Sequence, residues 1–273
     1  MPAETIIRPK KTFSLQIFRE LWQFRELLYF FSWRDLKVRY KQTVIGVGWA
    51  IFQPLITMVV FSIFFGKFGK LPSDGIPYPI FVYVGLLIWQ FFSTALSETS
   101  NSLISNQAIL TKVYFPRLVL PLSAVITRFI DFFCASIILI GLMAYYRFVP
   151  HIEGLLVLPL LLLLTFMIST GGGLFLAAFN VKYRDVRYAL PFFIQMLLFV
   201  TPVIYPASIA GKYSWILALN PMTGIIKAAQ AGILGTTPVN WFLLGLSGLS
   251  AVIFLIVGFV YFKKTEQYFA DLI

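Results

Sequence analysis

Across 273 residues, 59% of the side chains are hydrophobic and only 12% are charged, a balance too apolar for a soluble domain to hide inside one core. The net charge of +11 would point to nucleic acid in a soluble protein, yet Lys and Arg here flank apolar runs, which argues against nucleic-acid binding and for an all-α integral membrane protein. The one cysteine, Cys134, lies within an apolar run, so an intrachain disulfide is excluded.

No cleavable leader is read in the polar residues 1–11. An amphipathic interface helix is predicted over 13–42, with Trp33, Leu36 and Tyr40 on one face and Arg34, Lys37 and Lys41 in a cationic stripe one step round. Such a helix suits the plane of an anionic cytoplasmic membrane surface. A bilayer core of about 30 Å needs about 20 mainly apolar residues, and the stretches 46–65, 78–96, 118–145, 155–179, 189–205 and 241–262 are read as six membrane spans. The fifth is short and interrupted by Pro202 and Pro206. Sixteen of the 22 Lys and Arg residues fall in 1–45, 97–117, 180–188 and 263–273, which places both termini in the cytoplasm.

The connector from 97 to 118 is long for a simple turn and is expected to hold a short helix ending before Pro116. Its residues Asn106, Gln107, Lys112, Tyr114 and Arg117 suit either a cytoplasmic partner or a solvated loop. In the third span Arg128 and Asp131 lie three residues apart; each would cost about 2.5–3.5 kcal/mol at a helix centre, so they should pair or face the protein interior. A structural ion pair and a role in substrate passage or coupling are both open. Gly171, Gly172 and Gly173 sit inside an apolar span, where close packing or a kink fits better than a phosphate loop. Lys182, Arg184 and Arg187 form a compact anchor between the fourth and fifth spans.

Residues 207–240 are too apolar for an external loop, with Trp215, Ile216, Leu217, Ile225 and Ile226 among them. They are expected to dip back into the membrane as two short helices broken at Asn220 and Pro221. Gly224, Ala228 and Gly232 recur every fourth residue and would let the second helix approach a neighbour closely. The alternative is a reclining helix that shields the bundle's rim.

Catalytic chemistry is not apparent. The Gly-Lys pairs Gly66-Lys67, Gly69-Lys70 and Gly211-Lys212 are followed by Phe68, Leu71 and Tyr213, not by the Ser or Thr of an ATP-binding loop, so no ATP hydrolysis by this chain alone is expected. With one histidine, His151, neither a zinc cluster nor a nucleophile and base pair is read. Catalytic, cofactor-binding and metal residues are accordingly expected to be none, and no internal repeat is seen.

The run W-R-D-L-K-V-R-Y-K-Q-T-V-I-G-V-G-W-A-I-F-Q-P-L, 33–55, resembles the opening signature of permease subunits in type-2 ABC exporters of bacterial surface polysaccharides, the O-antigen and teichoic-acid group. I-S-N-Q-A-I-L-T-K-V-Y-F-P-R-L-V-L-P-L at 104–122, F-N-V-K-Y-R-D-V at 179–186, T-P-V-I-Y-P at 201–206 and L-N-P-M-T at 219–223 resemble further blocks of that family in the same order. The resemblance implies a homodimer bound to two ATPase subunits that hold ATP and Mg. It would export undecaprenyl-pyrophosphate-linked polysaccharide across the bacterial inner membrane, among membrane lipids. It also implies an interface helix, a coupling segment over 98–117 carrying Asn106, Gln107, Lys112, Tyr114 and Arg117, and outer gate helices within 207–240 carrying Trp215, Asn220, Pro221, Gly224, Ala228 and Gly232.

A sugar polymer can slide over aromatic rings without being trapped by strong hydrogen bonds, and Tyr29, Phe30, Trp33, Tyr40, Phe52, Tyr83 and Trp89 are the candidates to line its path. Arg34, Lys37, Arg39 and Lys41 are placed to meet a lipid pyrophosphate. Teichoic acid, capsule or a small hydrophobic lipid are alternative substrates for such a permease. A membrane enzyme acting on lipid-linked sugar is a reading of another class, disfavoured because the acidic residues are scattered singly.

Overall fold

Backbone amides in hydrocarbon have no water to bond, so segments of this composition must satisfy themselves internally. The computed structural model accordingly shows helices and no strand among the residues it describes, 16–41, 46, 48–73, 75–206, 209, 211 and 214–269.

Helices α1 (Gln16–Gln23) and α2 (Arg25–Lys41) meet at Phe24, whose amide donates to the Glu20 carbonyl and whose own carbonyl accepts from Leu28. Positions 13–15 and 42 of the expected interface helix lie outside the described residues. The face predicted for α2 requires correction, because the helix buries Phe31, Ser32 and Leu36 while Trp33 turns outward. Phe31 sets this rotation: its ring packs on Phe115 at 5.6 Å and carries the Arg34 guanidinium at 4.8 Å on another side. Tyr29, Phe30 and Trp33 are left exposed together.

Helix α3 (Gly48–Phe61) continues through a π-helical stretch, Ser62–Phe68, and closes at Gly69. It follows Gly46, whose φ of +56° suits a residue without a Cβ. Helix α4 (Tyr78–Ser105) runs 28 residues and passes well beyond the expected end at 96. Its polar tail stays helical because α7 (Ile152–Lys182) supports it: Asn180 Nδ2 donates to the Ser100 carbonyl at 3.2 Å and to Asn101 Oδ1 at 3.3 Å. The helix expected in the connector is the single turn α5 (Gln107–Leu110), and α6 (Val119–Tyr145) follows.

After α7 comes α8 (Val186–Val200), which at 15 residues rises only about 22 Å. Among the described residues, five helical stretches are long and apolar enough to cross a membrane: Gly48–Phe68, Tyr78–Ser105, Val119–Tyr145, Ile152–Lys182 and Trp241–Tyr268. The stretch expected to span 189–205 thus ends early as a helix, at Val200 ahead of Pro202. Residues 201–204 are buried without being helical, and three of their oxygens accept from other elements. Tyr78 Oη donates to the Ile204 carbonyl at 2.8 Å, Gln230 Nε2 to the Val203 carbonyl at 3.4 Å, and Asn220 Nδ2 to Thr201 Oγ1 at 2.7 Å. Buried irregular backbone survives when protein covers it in this way.

Helices α9 (Ser214–Ala218) and α10 (Pro221–Leu234) are separated at Asn220, whose Oδ1 accepts from the Met222 amide at 3.0 Å. A side-chain acceptor followed by proline is a strong helix start. Almost every residue of α10 is buried, so α10 belongs to the bundle's interior and does not recline on its rim. A Cβ on Gly224 would stand 2.6 Å from the Leu243 carbonyl oxygen of α11 (Trp241–Thr265), and one on Gly232 would stand 3.0 Å from Gly154 Cα of α7. The four-residue recurrence therefore serves two different neighbours, with Ala228 buried between them.

The Gly171-Gly172-Gly173 run is likewise a packing surface. Added Cβ atoms would come within 2.4 Å of Leu255 N at Gly171 and 2.5 Å of the Thr99 side chain at Gly173, while one on Gly258 would lie 1.9 Å from the Gly171 carbonyl oxygen. These glycines bring α7 against α11 on one side and α4 on the other. One large apolar cluster fills the centre of the bundle around α4 and α10. A second gathers Phe31, Leu103, Phe115, Leu118, Val181 and Phe262, fastening the interface helix, the connector and the ends of α7 and α11 together.

Candidate functional site

The chemistry-bearing residues concentrate where α2 packs on α6, beside the polar tail of α4. Arg128 on α6 is buried and ion-pairs with Asp131 one turn on at 2.7 Å and with Glu98 of α4 at 2.8 Å. Asp131 also accepts from Arg39 of α2 at 2.8 Å and from the Tyr40 hydroxyl. Two cations and two carboxylates therefore form one network across three helices. Burial, and then the hydrogen bond to Asp131, push the Tyr40 phenol above its ordinary range, so it stays a donor.

The cationic stripe of α2 is divided by this arrangement. Arg39 is held by Asp131, whereas Arg34 pairs with Asp35 at 2.7 Å and donates to Asn106 Oδ1 at 2.7 Å. Lys37 and Lys41 are exposed and make no ion pair among the described residues. The four cations expected to meet a lipid pyrophosphate thus divide into two paired arginines and two exposed lysines. A cleft of about 110 Å³ beside the network is lined by Tyr40, Trp49, Gln53, Gln90, Arg128 and Asp131. A wider one of about 470 Å³ opens between Arg34, Glu98, Asn106 and Ile109.

Within the connector, Asn106 closes α4 by donating from Nδ2 to the Ser102 carbonyl at 2.8 Å while it accepts from Arg34. Gln107 opens α5 and is exposed. Lys112 and Tyr114 stand out between the anchored α5 turn and buried Phe115, with Tyr114 90% exposed. Arg117 is differently placed: it donates to the Glu266 carbonyl, and its guanidinium sits 5.7 Å from the Phe269 ring centre. It ties the connector to the end of α11.

The aromatic candidates also separate. Tyr29, Phe30, Trp33 and Phe52 are exposed, and Tyr40 belongs to the charge network. Tyr83 and Trp89 require correction as lining residues, because both are buried in the core of α4. Tyr83 Oη donates to the Ala135 carbonyl at 2.9 Å, and Trp89 packs on Phe92 at 5.3 Å. On the opposite end of the bundle Trp215 is exposed on α9, while Asn220, Pro221, Gly224, Ala228 and Gly232 shape α10. His151 is exposed, and its amide donates to the Ile233 carbonyl at 3.1 Å.

Sequence reasoning did not find Glu98, nor the reach of Arg39 and Tyr40 to Asp131, which joins positions 92 and 91 residues apart. Glu98 carried one signal, an acid within a polar run directly after an apolar helix, but nothing in its spacing pointed to Arg128.

This layout, a charged interface helix locked onto a helical bundle with a connector presented at the same end, coincides with a family pattern that matches residues 26–234. The chain belongs to the ABC-2 type transporter family. The match runs from α2 to the end of α10 and so contains the network, the connector and both short helices. Among relatives, this ABC-2 chain is 28% identical over 261 residues to the O-antigen export system permease protein RfbA of Klebsiella pneumoniae, covering 95% of this chain and 100% of that protein. It is 34% identical over 222 residues to the protein of the same name from Myxococcus xanthus, covering 80% and 84%. Similarity to the polysialic acid transport protein KpsM of Escherichia coli is 21% over 243 residues, covering 86% and 91%.

Proposed function

We propose that this ABC-2 chain is the membrane permease of a bacterial polysaccharide exporter, acting as a homodimer with two separate ATPase subunits that bind ATP and Mg and supply hydrolysis. The observation that carries the reading is likeness over most of the chain to permeases named for O-antigen export and polysialic acid transport. The substrate would be a lipid-linked glycan of the O-antigen or capsule type, handed over from the cytoplasmic side of the inner membrane. Both termini would lie in the cytoplasm, with α8 and the buried segment after it serving as a sixth, discontinuous crossing.

Helix α3 supports a path between two copies. It buries only Pro54 and Met58 and presents Trp49, Phe52, Gln53 and Ile56 outward. An amide facing out of a membrane helix is costly against lipid and favourable against water or a second protein surface. Phe52 would then line the passage, with Tyr29, Phe30 and Trp33 at its cytoplasmic mouth and Lys37 and Lys41 as the cations available to a lipid pyrophosphate. Helices α9 and α10 would form the outer gate, held by Asn220.

Deletion of the gene tests the reading directly. Surface glycan should fall and lipid-linked polymer should accumulate in the inner leaflet; unchanged surface glycan with no internal polymer, in a host lacking a second exporter, would overturn it.

The coupling surface makes a narrower prediction. Lys112→Glu combined with Tyr114→Ala should lower ATPase co-purification by about tenfold, the worth of one charge-assisted contact, while membrane insertion and thermal stability stay unchanged. Retained co-purification would remove these two side chains from the docking surface. Arg117 is unsuited to that test, because replacing it also loosens the end of α11.

A further inference from the structure

A cleft of about 370 Å³ lies on the face of α10 that looks toward the starts of α4 and α11, lined by Phe81, Lys227, Gln230, Thr236, Thr237 and Asn240 among others. Its volume falls within the roughly 300–1,000 Å³ of small-molecule sites. Under the topology proposed above, it opens on the outer side of the membrane, where Lys and Arg are sparse.

Lys227 is the feature that asks for an explanation. It is the one cation on α10, a helix otherwise buried on almost every side, and it is itself only half-buried. Among the described residues, no Asp or Glu lines the cleft and Lys227 makes no ion pair. A cation inside a membrane bundle is expensive unless an anion or water meets it.

The neighbours define what kind of anion fits. Gln230 spends its amide N–H on the Val203 carbonyl at 3.4 Å, leaving its Oε1 toward other partners, and Asn240 spends Oδ1 on the Leu243 amide at 3.0 Å, leaving its NH2. Thr236 and Thr237 add hydroxyls that donate or accept, and Phe81 adds an apolar ring. One cation, mixed amide and hydroxyl groups and an aromatic wall complement an acidic sugar better than a bare phosphate: the carboxylate meets Lys227, the ring hydroxyls meet the amides and threonines, and the C–H face meets Phe81.

We infer that the Lys227 cleft is a subsite for an acidic saccharide unit, a sugar carrying a carboxylate, on the outer side of the permease. The inference rests on the export reading for its biological sense, but its test reads binding alone. The full-length chain in phosphatidylcholine nanodiscs is titrated with D-glucuronate and, separately, D-glucose, followed by saturation-transfer NMR. Glucuronate should bind at least about tenfold more tightly than glucose, a difference equal to one good ionic contact. Lys227→Met should abolish that preference and Lys227→Arg should keep it.

Equal binding of the two sugars, or undiminished glucuronate binding by Lys227→Met, would overturn the assignment. So would loss of the glucuronate signal in wild type together with Lys227-dependent retention of phosphatidylglycerol in mixed discs, which would give the cation to a lipid headgroup. A glucuronate preference that survives while the deletion strain keeps normal surface glycan would leave the subsite standing and remove the export reading; the converse result would do the opposite.

Discussion

Asp131→Asn should be among the most damaging single substitutions in the chain, with a loss of about 3–5 kcal/mol in folded stability, the range for removing one partner of a buried ion pair. The carboxylate serves three donors at once: Arg128, Arg39 and the Tyr40 hydroxyl. Its neutralisation leaves Arg128 buried with Glu98 alone and releases the end of α2 from α6. Glu98→Gln should cost much less, because Glu98 is about half exposed and water can replace part of its contact.

The network also alters what a double substitution should do. Were Arg128 and Asp131 an isolated pair, removing both would largely restore the protein. Here Arg128→Gln with Asp131→Asn still takes the carboxylate from Arg39 and Tyr40 and the cation from Glu98, so rescue should be partial. Thermal unfolding in detergent, read for the two single variants and the double, measures the coupling. Full recovery in the double would show that α2 is held by other contacts.

Gly258→Leu is expected to act without touching any charge. Even the first atom of that side chain would lie 1.9 Å from the Gly171 carbonyl oxygen, so α7 and α11 must separate before a leucine can enter. Overpacking of this kind costs about 1–3 kcal/mol and more where backbone is the obstacle. Gly141→Leu is the matched control, because nothing stands within 4 Å of a Cβ there. Folded yield and unfolding temperature should fall for Gly258→Leu and hold for Gly141→Leu; equal behaviour would refute the close α7 and α11 approach.

Much of this architecture is written in local patterns. Apolar length gives the long helices, Asn220-Pro221 gives the break before α10, and a repeat of small residues gives the close approaches of Gly224 and Gly232, because each depends on a few neighbours in the chain. The rotation of α2 is different. Trp33 and Phe31 are both aromatic and two positions apart, and only Phe115, far along the chain, decides which of them turns inward.

The site shows the same division. Arg128 and Asp131 are readable as neighbours because an i, i+3 spacing fixes them on one helix face, whereas Arg39 and Glu98 join them through tertiary packing. Tyr83 and Trp89 illustrate the reverse hazard: an aromatic in a membrane span serves a core or a passage equally well by composition. Burial alone separates the two roles.

Helix α8 carries a consequence for the surrounding lipid. At about 22 Å it falls short of a hydrocarbon layer of about 30 Å, and tilting, which shortens a helix further along the membrane normal, makes the deficit worse. Phe192, Phe193, Met196 and Phe199 nonetheless face outward along it. In the discontinuous crossing proposed above, the non-helical residues 201–206 would supply the remaining distance, about 8 Å, so the lipid at that end of α8 would meet protein-covered coil in place of a helix.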